Sequence, residues 1–168
     1  MSKKILLTSF NTWKTHQKSN SSDDLLEIIT RTSLPSMHFL RKLPVDFQLA
    51  PQQVLAKFKE FQPHIILLCG MAETRSKLHL ESRAVVGDDI IETTVDLEKI
   101  RIGLATTEIS HDAGHFVCNE LYYRTLTHLA EKNSATRCLF IHIPCLTAIN
   151  RELIIEDFNL MIKRLLFS

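Results

Sequence analysis

The chain has 168 residues and a mass of 19.3 kDa, the size of one domain with a sizeable core. Apolar residues make up 45% and charged residues 23%, which excludes a mainly disordered chain. Lys and Arg number 20 against 19 Asp and Glu, whereas domains that grip nucleic acid usually carry a clear basic surplus. These values predict a single domain over residues 1–168 that does not bind nucleic acid.

Cysteine usage and the apolar runs indicate a reduced, cytoplasmic protein. Four cysteines without a CxxC pair do not make a disulfide scaffold in a chain of this length. The first apolar run, Ile5 to Leu7, is too short for a signal peptide, and no run reaches the ~18 apolar residues of a membrane span. With four glycines and neither a GxGxxG nor a Walker loop, no nucleotide cofactor is predicted.

Strands and helices alternate along the whole chain. In chain order, the pattern predicts a strand at 4–10, a helix at 21–32, a strand at 38–43, a helix at 51–61, a strand at 64–69, an extended segment at 78–86, a strand at 104–109, a helix at 114–132, a strand at 137–143 and a helix at 150–167. Residues 88–101 give no clear pattern. Because several strands are apolar throughout, the sequence predicts an α/β fold with a mostly parallel sheet.

Ligands of open α/β sheets bind beyond the carboxyl ends of the strands. The positions that follow predicted strands are residues 10–13, 70–75, 110–118 and 142–144. Candidate functional residues are therefore sought there first.

Cys118 lies near the start of a predicted helix, after a turn that contains Asp112-Ala-Gly114. A helix N-terminus lowers the pKa of a thiol and favours the nucleophilic thiolate. Its unpaired backbone N–H groups also suit an oxyanion. The alternative is that Cys118 is a small buried apolar residue, as Cys69, Cys138 and Cys145 are expected to be.

His142 and Glu81 are candidates for a base and its orienting carboxylate. His142 ends an apolar strand, where it is either a general base or a core histidine bonded to a backbone carbonyl. Strict alternation places His79 and Glu81 on one face of a strand and Leu80 on the other. Glu81 could then orient a histidine, or it could face solvent beside Arg83.

A zinc site is a rival hypothesis for the same segment. His111, His115 and Cys118 are spaced i, i+4, i+7, which is one face of a continuous helix, and all three are zinc ligands by type. Asp112 and Gly114 instead favour a turn, which breaks that spacing. The expectation is therefore no metal and no cofactor.

Three motifs, in order along the chain, resemble the pyroglutamyl-peptidase I family of cysteine peptidases. Ser110-His-Asp-Ala-Gly-His-Phe-Val-Cys-Asn119 resembles the cysteine motif, and Phe140-Ile-His-Ile-Pro144 resembles the histidine motif. Gly70-Met-Ala-Glu-Thr-Arg75, continuing to Leu80-Glu81 and Ala84, resembles the glutamate motif. The resemblance spans most of the chain.

The resemblance implies a fold, an activity and residue roles. Members of the family are three-layer α/β/α sandwiches, similar in fold to phosphorylases and hydrolases, and they remove an N-terminal pyroglutamyl residue from peptides. By motif position, Cys118 is the nucleophile, His142 the general base and Glu81 the orienting carboxylate, while Arg75 helps to arrange the site. Because relatives form oligomers, an oligomer is compatible with the resemblance.

The resemblance also implies a substrate pocket. In the family an apolar pocket holds the lactam ring of the pyroglutamyl group. The matching positions in this chain are Phe10, Trp13, Val45, Met71, Phe116 and Val117.

The chain departs from the family pattern where the substrate is recognised. Trp13-Lys14-Thr15 stands where the family has a Gly-Gly pair after the aromatic residue. Ser82 replaces a basic residue, with Arg83 displaced by one, and Val86 replaces an asparagine. The segment from Gly87 to Glu108 is a shortened form of one that covers the substrate in relatives.

Three functions are consistent with these residues. The first is a cysteine peptidase that acts on N-terminal pyroglutamyl peptides. The second is a related Cys-His-Glu hydrolase for another small amide or peptide, which the altered segments favour. The third is a non-catalytic homologue that binds a ligand or partner, which the presence of all three candidate catalytic residues disfavours.

Overall fold

The computed structural model describes residues 3–167. Its strands are β1 (Ile5–Phe10), β2 (Met37–Leu43), β3 (Ile65–Met71), β4 (Leu78–Glu81), β5 (Arg83–Val86), β6 (Asp89–Glu92), β7 (Thr107–Ser110) and β8 (Arg137–Ile143). Its helices are α1 (Ser21–Thr30), α2 (Leu49–Phe61), α3 (Leu97–Arg101), α4 (Val117–Glu131) and α5 (Arg151–Phe167). No helix within residues 3–167 has the length and apolarity that crossing a membrane requires.

Six strands form the central sheet, in the order β2-β1-β3-β8-β4-β7, and β5 and β6 form a separate hairpin. Parallel pairing joins β1 to both β2 and β3, and β3 to β8. The direction reverses once, where β4 pairs antiparallel with β8, and β7 then pairs parallel with β4. The prediction of a mostly parallel sheet is confirmed.

Helices cover both faces of the sheet. The apolar stripes of α1 and α5, with the short α3, pack against one face and form one core cluster. The stripes of α2 and α4 pack against the other face and form a second cluster. Strands β3 and β8 are buried along nearly their whole length, because each face lies under a helical layer. The three-layer α/β/α class is therefore confirmed.

The structure divides two segments more finely than the sequence does. The extended segment predicted at 78–86 is broken at Ser82 into β4, in the central sheet, and β5, in the hairpin. Gly87 supplies the hairpin turn with a φ of 61°, a conformation that costs glycine little. Residues 88–101, which gave no clear pattern, contain β6 and α3. Helix α4 begins at Val117 rather than at Gly114.

A buried carboxylate on α5 holds the segment that leads into β7. Asp157 is 5% exposed and accepts hydrogen bonds from the backbone N–H groups of Ala105 and Thr106, at 2.9 and 2.8 Å. It also accepts one from the Thr107 hydroxyl at 2.7 Å. Asp157 thus connects α5 to the start of β7.

Replacing Asp157 with Ala should destabilise the protein. Three donors would lose their shared acceptor inside the molecule, and each unpaired buried donor costs about 1–3 kcal/mol. We expect the free energy of unfolding, measured by urea denaturation, to fall by about 2–4 kcal/mol. The control is Glu156→Ala at the exposed neighbouring position. Equal stabilities of the two variants would contradict the role of Asp157.

Candidate active site

Glu81 and His142 form a buried pair between adjacent strands. Glu81 ends β4 and is fully buried, and His142, near the end of β8, is 7% exposed. The antiparallel register pairs Glu81 with Phe140 and His79 with His142, so the carboxylate reaches the imidazole diagonally on one face of the sheet. His142 Nδ1 lies 2.6 Å from Glu81 Oε1. Glu81 therefore does not face solvent, and Nδ1 of His142 is paired with a carboxylate and not with a backbone carbonyl.

Arg75 supports the same carboxylate from the loop between β3 and β4. Its Nη1 donates to Glu81 Oε1 at 2.6 Å, and its Nη2 donates to the backbone oxygen of Asp112 at 2.8 Å. Oε1 therefore carries both interactions, and Oε2 has no hydrogen-bond partner within residues 3–167. Arg75 thus joins the glutamate to the loop that precedes the cysteine helix, as the resemblance implies for a residue that arranges the site.

The charge state of Glu81 sets the tautomer of His142. Burial raises the pKa of this carboxyl, but the hydrogen bond and charge of His142 and the Arg75 guanidinium outweigh burial and hold the pKa below its usual value. An ionised carboxylate only accepts hydrogen bonds, so Nδ1 of His142 must carry the proton that it donates. The neutral ring then has its lone pair on Nε2, the nitrogen that a general base uses.

Cys118 is the second residue of α4, and its sulfur lies on the backbone of Gly70. A Cβ atom built at Gly70 would stand 2.6 Å from Cys118 Sγ and 2.8 Å from Phe140 Cζ. Gly70 is also the ladder partner of His142 in the parallel pair β3–β8, and ladder partners point to the same face. Because glycine has no side chain, position 70 leaves space for the Cys118 sulfur on the face of the sheet that carries His142.

The start of α4 has free backbone donors next to the sulfur. Phe116 is the N-cap residue and makes no side-chain capping bond. The first N–H groups of a helix have no partner inside the helix. The N–H of Cys118 bonds to its own sulfur, which leaves those of Val117 and Asn119 for an oxyanion. This geometry agrees with the oxyanion site expected from the sequence.

The pKa of Cys118 moves in the direction opposite to the one expected from its place at a helix start. Burial of the sulfur, with the negative charge of Glu81, raises the pKa of this thiol to about 12. Burial outweighs the helix dipole because the thiolate would be desolvated. The direction of this shift favours the neutral thiol in the free protein, so a nucleophilic role for Cys118 would require a base to take its proton.

Two residues of α4 near Cys118 bond the helix to β5 and to the end of β4, where Glu81 lies. Asn119 accepts a hydrogen bond from the Val85 N–H at 3.0 Å and donates one to the Val85 carbonyl at 2.7 Å, which ties the helix start to β5. The buried Tyr122 donates its hydroxyl proton to the backbone oxygen of Glu81 at 2.9 Å. Helix α4, which carries Cys118, is thus bonded both to β5 and to the end of β4.

A cavity of about 180 Å³ opens beside Cys118 and His142. All six residues expected to form the substrate pocket line it, together with two that the sequence reasoning missed. The lining residues are Phe10, Trp13, Asn20, Val45, Met71, Ala113, Phe116, Val117, Cys118 and His142. The position of Asn20 just before α1 was the signal that could have found it, since an asparagine there caps the helix.

The zinc hypothesis does not fit this geometry. His111 and His115 lie in the loop before α4, not on the helix, so the i, i+4, i+7 spacing does not place them on the face of Cys118. Nδ1 of His111 is 2.7 Å from the Ser82 hydroxyl. Among residues 3–167, no three His, Cys, Asp or Glu side chains come together in a way that would hold a metal ion.

The family model for pyroglutamyl peptidase matches residues 94–161. A pyrrolidone-carboxylate peptidase from Vibrio vulnificus is 30% identical in an alignment 171 positions long, gaps included, that covers 86% of this chain and 79% of that protein. One from Bacillus cytotoxicus is 30% identical in an alignment of 132 positions that covers 63% of this chain and 61% of its own length. One from Thermoanaerobacter sp. is 26% identical in an alignment of 170 positions that covers 85% of this chain and 83% of that protein. Because 85% of this chain is fewer than 170 residues, that relative has residues inside the matched region that this chain lacks.

Solved structures agree on the fold. Pyroglutamyl peptidase I from Bacillus amyloliquefaciens superposes with a TM-score of 0.87 at 20% identity, covering 100% of this chain and 97% of that one. Pyrrolidone carboxyl peptidase from Thermococcus litoralis gives a TM-score of 0.83 at 21% identity, covering 96% and 92%. The sequence and fold thus define a cysteine-type exopeptidase, as predicted. The chain belongs to the pyroglutamyl peptidase family.

Replacing Gly70 with Ala should displace the sulfur of Cys118. Forcing a methyl group into packed space costs about 1–3 kcal/mol, and we expect urea denaturation to show a loss of that size. In a Cys118→Ala background the cost should be smaller, because one of the two clashing groups is gone. An identical cost in both backgrounds would show that Gly70 does not seat the sulfur.

Alkylation of Cys118 in the free protein should be slow at neutral pH. The thiolate is the reactive form, and a pKa raised to about 12 keeps the thiol protonated through the neutral range. In a Cys145→Ser background, which removes the exposed thiol, the iodoacetamide rate followed by mass spectrometry should still rise between pH 8 and 10. The Cys118→Ala variant, with Cys145 intact, calibrates the reagent. A rate at Cys118 that levels off near pH 7 would contradict the raised pKa.

Proposed function

We propose that the chain is a cysteine peptidase that removes N-terminal pyroglutamate from peptides, with Cys118, His142 and Glu81 as its catalytic residues. One observation carries the proposal: Cys118 and His142 line the same small cavity, and His142 is held by the buried Glu81. The relatives at 30% identity from Bacillus cytotoxicus and Vibrio vulnificus are pyrrolidone-carboxylate peptidases, which supports the same substrate class.

The proposed reaction begins with the neutral thiol of Cys118. Its sulfur attacks the carbonyl carbon that joins pyroglutamate to the next residue, while Nε2 of His142 takes the thiol proton. Glu81 accepts the Nδ1 proton of His142 throughout and stabilises the imidazolium that forms. The carbonyl oxygen becomes an oxyanion beside the free N–H groups of α4, where losing one donor typically costs ~3–4 kcal/mol.

The imidazolium then gives its proton to the departing amine, so that the C–N bond breaks and the shortened peptide leaves. The pyroglutamyl group remains on Cys118 as a thioester. His142 then deprotonates a water molecule, which attacks this thioester. The C–S bond breaks, pyroglutamate is released, and the His142 imidazolium returns its proton to the sulfur of Cys118. Each proton that leaves Cys118 or water is thus accepted by the same imidazole, so no metal or cofactor is needed.

The cavity suits a small cyclic group. Its volume of about 180 Å³ is below the ~300–1,000 Å³ of sites that hold drug-sized ligands. The apolar side chains of Phe10, Val45 and Met71 face it, with Trp13 and Phe116 as aromatic walls. A five-membered lactam can be enclosed there, whereas a long side chain would have to extend outside. A cytoplasmic location is part of the proposal, since all four cysteines are free thiols.

The test is hydrolysis of a chromogenic pyroglutamyl amide by the purified protein. We expect activity in the native chain, a loss of at least about 1,000-fold in Cys118→Ser, and no change in Cys145→Ser, where the exposed cysteine is replaced. Chromogenic alanyl and prolyl amides run in parallel should not be cleaved. Activity that survives in Cys118→Ser would exclude the mechanism. Cleavage of another amide in preference to the pyroglutamyl one would favour the related-hydrolase alternative.

A further inference from the structure

Residues 11–17, the first part of the loop between β1 and α1 (residues 11–20), are folded onto themselves. The side-chain oxygen of Gln17 accepts the backbone N–H groups of Trp13 and Lys14 at 3.0 and 3.2 Å. The Gln17 N–H donates to the Lys14 carbonyl at 3.1 Å. These bonds close a compact turn that includes Trp13 and Lys14. The turn includes the two positions, Lys14 and Thr15, that replace the Gly-Gly pair of the family.

A single carboxylate from another loop, that of Glu73, bonds to this turn. Glu73, in the loop after β3, accepts a hydrogen bond from Lys14 Nζ at 3.2 Å on Oε2. Nε2 of His16 lies 2.8 Å from its Oε1. The pKa of Glu73 is held below its usual value chiefly by the bond from His16, with a further contribution from Lys14. Both oxygens of Glu73 are therefore committed to the β1–α1 loop.

The turn held by Glu73 carries an aromatic wall of the cavity. The ring centroid of Trp13 lies 6.2 Å from that of Phe116, and Lys14 Nζ lies 5.5 Å over the Trp13 ring. Glu73 itself lies between Met71, which lines the cavity, and Arg75, which holds Glu81. Through Glu73, the loop that organises the carboxylate also fixes the position of Trp13.

We propose that Glu73 is a positioning residue that fixes Trp13 as the wall of the cavity and so helps to determine which substrates fit. The proposal rests on the proposed function for the identity of the substrate, but not for the position of Trp13. An isolated exposed ion pair contributes little, whereas Glu73 engages two side chains of one closed turn. The effect should therefore appear in substrate binding and not in the chemical step.

The experiment uses Trp13, which is the one tryptophan of the chain, so intrinsic fluorescence reports on this wall alone. Acrylamide quenching suits the measurement because acrylamide is neutral and does not respond to a change of surface charge. The variant is Glu73→Ala, with Glu73→Gln to separate charge from size. The matched control is Glu108→Ala, because Glu108 contacts Lys77 and lies 3.7 Å from His79 Nε2, the same pair of residue types, away from Trp13.

We expect Glu73→Ala to raise the quenching constant of Trp13 roughly twofold and the KM for the pyroglutamyl amide roughly three- to tenfold, with kcat within about twofold of the native value. In Glu73→Gln the quenching constant and KM should lie between those of the native protein and those of Glu73→Ala. Glu108→Ala should match the native protein in both. Unchanged quenching in Glu73→Ala would overturn the proposal, and so would a fall in kcat at constant KM. A native protein without activity, but with increased quenching in Glu73→Ala, would reject the proposed function and leave the role of Glu73 in positioning Trp13 standing.

Discussion

Glu81 is a carboxylate with no contact to solvent, and a buried charge is stable only when other groups compensate for its lost hydration. His142 and Arg75 provide that compensation through one oxygen. Satisfying the charge therefore fixes the imidazole on β8, the loop that follows β3 and the segment before α4. Removing either partner would leave the charge only partly compensated, so the contacts that the proposed mechanism uses also stabilise the fold.

Much of this arrangement could be predicted from the sequence, because each catalytic candidate lies on an element with a strong local signal. The apolar run 137–143 identifies a buried strand, so His142 had to stand at its end. Alternation along 78–81 placed His79 and Glu81 opposite Leu80, and the core clusters confirm that division. The six pocket residues came from motif matching and not from periodicity, and they line one cavity.

The remainder depends on contacts between distant segments, which local patterns do not encode. The reversal of β4 against β8 gave no signal in a strand of four residues. The pKa of Cys118 is raised by burial and by the charge of Glu81, and both depend on segments far from Cys118 in the chain, which a rule about helix N-termini does not include. Likewise, no local pattern in the sequence distinguishes Glu73. Its partners His16 and Lys14 lie 57 and 59 positions away and meet it only in the folded chain.

The site has two parts that differ in how they tolerate changes in chain length: the buried carboxylate in the reversed strand pair and the loops at the cavity entrance. Glu81 stands inside the hydrogen-bonded ladder of β4, where an insertion or deletion would shift the register of two strands. The aromatic and charged residues at the cavity mouth lie on connections between elements, where changes in length are tolerated. The shape of this entrance can therefore change through its loops while the buried pair of Glu81 and His142 keeps its geometry.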